Sequence, residues 1–195
     1  MEFELLGWPA DGPTLELDYR EFSYAGKFVM SSTGKAVARE STAATGGDAD
    51  EGDATADIVA AAAFDEDRDD PRTSRIRYIT VRSDRRGDGI GPQLAAFVAE
   101  RARQRGYDRA RIAVNNPFAY QALYRAGFWF TGEETGVAEL VLDRAFGGEA
   151  DRSRATYQSG LDVYRQRDLS AEESAFLDDK RRAGPPAVVD APGAT

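Results

Sequence analysis

One run constrains this chain more than any other: Ile79-Thr80-Val81-Arg82-Ser83-Asp84-Arg85-Arg86-Gly87-Asp88-Gly89-Ile90-Gly91-Pro92. It starts apolar and β-branched, passes through a glycine-rich turn and enters a helix. Three glycines at alternate positions let the backbone approach a ligand closely and turn its N–H groups inward, and the following helix adds the positive end of its dipole. The pattern reads as a pyrophosphate cradle. The plain alternative is a strand-turn-helix connection that binds nothing.

Two familiar phosphate motifs fit poorly. A dinucleotide-binding G-x-G-x-x-G counted from Gly87 needs glycine where Pro92 stands, and counted from Gly89 it needs glycine where Leu94 stands. A P-loop needs Gly-Lys-Ser/Thr at the helix entry, where this chain has Gly91-Pro92-Gln93. What fits is Arg-x-x-Gly-x-Gly, read as Arg86-Gly87-Asp88-Gly89-Ile90-Gly91, which resembles the coenzyme A pyrophosphate loop of the GNAT acyltransferase superfamily. A second stretch, Asn116-Pro117-Phe118-Ala119-Tyr120-Gln121-Ala122-Leu123-Tyr124-Arg125-Ala126-Gly127-Phe128, resembles that family's other signature, in which an Asn opens a helix that ends in Gly-Phe. The two lie about thirty residues apart and in the family's order, which strengthens the resemblance.

The chain has no cysteine and no histidine. A Cys nucleophile, a His general base and the usual zinc ligands are thereby excluded, no metal is expected, and any chemistry rests on carboxylates, hydroxyls, Arg, the backbone or the substrate. The formal charge is −9, from 34 acidic and 25 basic residues, of which only Lys27, Lys35 and Lys180 are lysines. A surface that keeps carboxylates and nearly eliminates lysine suits concentrated salt, where repulsion is screened within about 3 Å at 1 M, and points to a halophilic source. The same charge makes nucleic acid an unsuitable partner. With no apolar run of membrane-spanning length and no secretory leader, no membrane association is expected and the chain reads as cytoplasmic.

At 195 residues the chain suits one domain with an extension. Leu15–Tyr19, Phe28–Met30 and Ala36–Ala38 read as early strands. Residues 41–57 hold Ala, Thr, Gly and acid with no large apolar side chain, which predicts a mobile acidic loop. Ile58–Phe64 reads as a buried central strand and Arg75–Val81 as the strand carrying the cradle. A helix then begins at Pro92 and ends at Gly106. Arg111–Val114 is a further strand, followed by the Asn116 helix and a closing antiparallel pair, Phe128–Phe130 with Val137–Leu142. This α+β order matches the GNAT-like fold the resemblance implies, a mixed, mostly antiparallel sheet flanked by helices, over residues 1–147. Residues 148–184 form a helical extension in which Tyr157, Leu161 and Tyr164 share one face and Ser170-Ala171-Glu172-Glu173 is a capping box. The extension packs on the domain or on a sister subunit in a homodimer, and 185–195 reads as a disordered tail.

The resemblance implies an acetyl-coenzyme A dependent N-acetyltransferase, in which a small-molecule or peptide amine attacks the thioester directly in a ternary complex. A non-catalytic acyl-coenzyme A binding or sensing module is the alternative. By the family's pattern the backbone of Ile79 and Val81 pairs with pantetheine, Arg86, Gly87, Gly89, Ile90 and Gly91 form the pyrophosphate site, and Asn116 holds the pantetheine arm. Pro92 supplies no N–H where the family often uses one more donor. The family's tyrosine that protonates the departing thiolate falls on Leu123, while Tyr124 lies one residue later, about 100° around the helix. Tyr124 is thus a candidate acid if a local irregularity turns it inward, and a packing residue with Tyr120 otherwise. No general base is evident; among Glu133, Glu134 and Glu139, Glu134 is the candidate for relaying a proton through water, against the reading of a solvated acidic turn. A lysine acceptor costs about 4 kcal/mol to deprotonate at pH 7.4 and an α-amine about 0.5, so a low-pKa amine needs less help.

Overall fold

Strand pairing begins earlier than the N-terminal pattern predicts. The structure, a computed structural model, describes residues 1–40, 55, 57–148 and 150–193. Its first strand, β1 (Glu2–Gly7), runs antiparallel to β2 (Gly34–Arg39). Leu15–Tyr19 and Phe28–Met30, expected as strands, belong to an irregular excursion between them, with Leu15 N–H donating to Phe28 O at 3.1 Å. Its apolar residues Leu15, Phe22, Ala25 and Phe28 instead cover one face of the sheet, over Val37, Ile58, Ala61 and Ala63. An alternation that looked like pairing is a covering layer. The expected acidic loop at 41–57 lies, apart from 55 and 57, outside the described residues.

β3 (Ile58–Glu66) is the buried central strand expected, and β4 (Thr73–Val81) follows it antiparallel. Next come α1 (Ile90–Gln104), β5 (Arg109–Val114), α2 (Pro117–Arg125), β6 (Trp129–Glu134) and β7 (Leu140–Ala145). The spatial order is β1-β2-β3-β4-β5-β7-β6, with β4–β5 the one parallel pair. The fold is therefore α+β with a mixed, mostly antiparallel sheet, as expected. Ile90, Leu94, Phe97 and Val98 turn one face of α1 into the main core. Gly106, at φ 92°, ends that segment in the left-handed region.

Two features of β4 shape the site. Ala63 faces Tyr78 and Phe64 faces Ile76, so Arg77 is an extra residue, a β-bulge that bends the strand. At that level β4 leaves β5: the parallel ladder runs from Thr73↔Arg109 to Ile76↔Ile112 and stops. β5 itself continues to Val114 against β7. The sheet is split from Arg77 upward.

Two further helices, α3 (Arg154–Arg165) and α4 (Ala171–Asp179), form where the amphipathic pattern placed them, and Ser170 and Glu173 make the capping box. Tyr157, Leu161 and Tyr164 are buried in the same cluster as the sheet, α1 and α2. Gly160 allows the close approach, since a Cβ there would lie 2.2 Å from the Tyr120 hydroxyl. Residues 185–193, expected to be disordered, instead lie on the domain: Val189 N–H donates to Arg125 O at 2.8 Å, and Val189 and Ala191 pack against the core. Among the described residues no helix is long and apolar enough to cross a membrane.

Candidate active site

The split in the sheet presents backbone. Arg82 N–H donates to Val59 O at 2.8 Å, which makes the adjacent Ala60↔Val81 pair a non-hydrogen-bonded one. The N–H and C=O of Val81, and by the two-residue period those of Ile79, therefore point away from β3 toward the opening.

Above the opening the chain turns through Ser83–Arg85 into the glycine loop. Gly87 (φ 93°) and Gly89 (φ 80°) occupy the left-handed region, which a side chain would strain. Gly89 is the N-cap of α1, so the helix starts two residues before the expected Pro92. Pro92 is the third helical residue, still within the first turn, where an N–H has no intrahelical partner in any case. No side chain caps the helix and its first turn holds no acid. The amides of Ile90 and Gly91 thus stand at an uncapped positive helix end, the arrangement that binds an anion. Arg86 is extended here, and its guanidinium donates through Nη2 to Ser23 Oγ at 2.8 Å and through Nε to Val81 O at 3.5 Å.

Asn116 caps α2: its Oδ1 accepts Ala119 N–H at 2.8 Å and its Nδ2 donates to Asn115 Oδ1 at 3.2 Å. Its carbonyl is committed to the helix, leaving one amide hydrogen for a pantetheine arm. Leu123 is buried in the core.

Tyr124 does not face the opening. It is fully buried, and its hydroxyl accepts Phe130 N–H at 3.0 Å with the Tyr120 hydroxyl 3.3 Å away. Its ring lies edge-on to Tyr157 and under the Arg152 guanidinium. The helix carries no irregularity that turns it inward; the packing reading describes it, and burial holds its phenol pKa above the usual value. Glu134 lies in the same cross-strand row as Leu140 and Val114, at the open end of the split. It is exposed and paired with Arg167 at 3.2 Å, two strands from β5. The structure brings Ile79, Val81 and the loop together and leaves both acid and base candidates outside.

Two residues near the site carried no sequence signal of their own. Arg125, at the end of α2, reaches back over the loop; a Cβ on Gly89 would lie 3.5 Å from its Nη2 and 3.8 Å from its Nη1. Tyr164 sends its hydroxyl to Val114 O at 3.0 Å, at the end of β5. On the other face of the sheet, Glu21 O accepts Ser83 N–H at 2.9 Å, which ties the N-terminal excursion to the loop. A cleft of about 510 Å³ opens there, with Glu16, Asp18 and Glu21 beside Phe22 and Ile58. Among the described residues no acidic cluster is placed to hold a metal ion.

The fold has counterparts among known proteins. A Bacillus subtilis acetyltransferase in complex with CoA superposes with a TM-score of 0.52 at 17% identity, over 74% of this chain and 98% of that one. Nourseothricin acetyltransferase gives 0.46 at 22% identity, over 59% of this chain and 66% of that one, slightly under two thirds of its length. The ribosomal-protein-alanine N-acetyltransferase of Brucella melitensis gives 0.46 at 19%, over 58% and 69%. No curated protein sequence matches. Residues 10–128, more than half of the chain, match the Acetyltransferase (GNAT) family, and this span contains the split strand β4, the glycine loop and α2. The chain belongs to the GNAT family of acetyltransferases.

Proposed function

We propose that this protein is an acetyl-coenzyme A dependent N-acetyltransferase that passes the acetyl group to a primary amine by direct attack. One observation carries the reading: the parting of β4 from β5 directs the backbone of Ile79 and Val81 into a gap that leads to the uncapped start of α1. An extended amide-bearing arm ending in a pyrophosphate fits such a gap, the arm pairing as a strand and the anion meeting the helix amides. The amine nitrogen attacks the thioester carbon, the C–S bond breaks, the amine loses a proton and the thiolate gains one. The three carboxylates around the opposite cleft suit a cationic or polar amine.

The chain needs little help with the leaving group. A coenzyme A thiol resembles cysteine, with pKa near 8.5, so its release as thiolate at pH 7.4 lies about 1.5 kcal/mol uphill of the thiol. Leu123 at the family's acid position is therefore tolerable, and solvent can supply the proton.

The buried Leu123 and the occupied Tyr124 hydroxyl also favour a second reading, an acyl-coenzyme A binding or sensing module. Incubation with acetyl-coenzyme A and a panel of peptides, polyamines and amino acids in molar KCl separates the two. Amine-dependent release of free thiol supports the enzyme; tight binding with no turnover over the whole panel supports the sensor.

A further inference from the structure

We propose that Arg125 is a pyrophosphate-binding residue of the coenzyme A site, held in place by the C-terminal segment of the chain. The proposal rests on the functional reading above and adds a residue and a structural dependence to it.

Arg125 places a full positive charge beside the positive end of a helix. Its guanidinium nitrogens lie 3.5 and 3.8 Å from the Cβ position of Gly89, the N-cap of α1. A helix N-terminus favours anions and disfavours cations, so two like charges converge on one small volume. Of the neighbouring loop arginines, Arg85 pairs with Glu40 and with Asp88, Arg82 pairs with Asp84, and Arg86 donates to Ser23 Oγ. Among the described residues, by contrast, the Arg125 guanidinium makes no hydrogen bond and no ion pair. A phosphate between the α1 amides and this guanidinium resolves the arrangement, accepting from both. It also offsets the donor that Pro92 removes from the same turn.

The main chain on either side of Arg125 is tied down, and mostly by residues outside the matched family span. Arg152 donates through Nη1 to Tyr124 O and Phe128 O, both at 2.7 Å, and through Nη2 to Pro186 O at 2.9 Å. Val189 N–H donates to the Arg125 carbonyl itself at 2.8 Å. Arg144 donates to Ala126 O at 2.8 Å. The carbonyls of residues 124, 125, 126 and 128 are thus all engaged, so the base of the Arg125 side chain is held at a set place relative to the loop. Arg125 touches the ligand; Val189 and Arg152 are positioning residues.

The test is calorimetric titration of the full chain with coenzyme A and with dephospho-coenzyme A, which keeps the pyrophosphate and lacks the 3′-phosphate. Because the Arg125 guanidinium has no hydrogen-bond or ion-pair partner among the described residues, Arg125→Ala should fold normally. It should weaken coenzyme A by about tenfold to a hundredfold, the range for a charge-assisted hydrogen bond, and dephospho-coenzyme A by the same factor. Arg125→Lys should recover part of the loss. Val189→Pro, which deletes the N–H, should weaken both ligands severalfold, while Val189→Ala, which keeps it, should not. Unchanged affinity in Arg125→Ala, or a loss confined to coenzyme A, overturns the pyrophosphate contact. Wild-type affinity in Val189→Pro overturns the positioning role. If the wild-type protein binds neither ligand, the functional reading itself fails.

Discussion

Replacing Tyr124 with Phe separates packing from catalysis. The hydroxyl lost is the acceptor for Phe130 N–H at 3.0 Å, inside a cluster formed by Tyr120, Tyr157 and Phe130. A phenylalanine ring fills the same space but leaves a buried amide without an acceptor, which costs about 1–3 kcal/mol. For a chain of this size each kcal/mol moves the melting temperature by about 2–4 °C, so Tyr124→Phe should melt about 2–12 °C lower. Acetyl transfer measured well below the transition should change less than about threefold, because the hydroxyl lies outside the opening. Thermal denaturation followed by circular dichroism and thiol release on the same preparations give both numbers. An unchanged melting temperature with kcat down about a hundredfold would refute the reasoning and return Tyr124 to the role of acid.

Gly91→Glu should separate binding from folding in the opposite sense: its Cβ meets only Val81 Cγ2 at 3.4 Å, and a carboxylate in the first turn suits the helix dipole. Stability should hold or rise slightly while coenzyme A affinity falls at least about a hundredfold by calorimetry, and retained affinity would contradict the cradle. Burial pushes the Tyr157 phenol up to about 12 and raises those of Tyr120 and Tyr164, against about 10 in the unfolded chain. Their contribution is complete below pH 10 and declines above it, by up to about 1.4 kcal/mol per pH unit for each tyrosine, because the unfolded state loses its protons first. Urea midpoints between pH 9 and 12 should fall, and Tyr157→Phe should reduce the slope; an unchanged slope would show that Tyr157 does not contribute. Finally, a net charge of −9 with three lysines predicts a melting temperature that rises between about 0.1 and 2 M KCl, and a flat or falling curve would count against a halophilic surface.

The sequence revealed elements whose signal is local. Ile58–Phe64 is apolar enough to read as a buried strand, and Gly87 and Gly89 mark the loop because their left-handed backbone would strain any side chain. What it concealed depends on partners far along the chain. Leu15–Tyr19 alternates as a strand does, yet its place beside β2 is taken by β1, and nothing within five residues reports that competition. Residues 185–193 look disordered by composition, but Arg152 and Arg125 supply hydrogen bonds more than thirty residues away. Tyr124 stood one helical position from the expected acid. One residue on a helix is a large rotation, yet Leu123 and Tyr124 are both buried in the core.

The split in β4–β5 also makes the sheet two half-sheets with a seam. Four residue pairs, Thr73↔Arg109 to Ile76↔Ile112, join a half made of β1 to β4 to a half made of β5, β7 and β6. The molecule therefore has four strand edges instead of two, and the inner pair lies where a sheet is normally continuous. α1 is the strap across this seam, packing on β1 to β4 on one side and on β5 on the other. The helix whose first amides point at the opening is thus also a brace that sets how far the two halves stand apart. A small change at Leu94, Phe97 or Val98 therefore reaches the opening by altering the width of the seam.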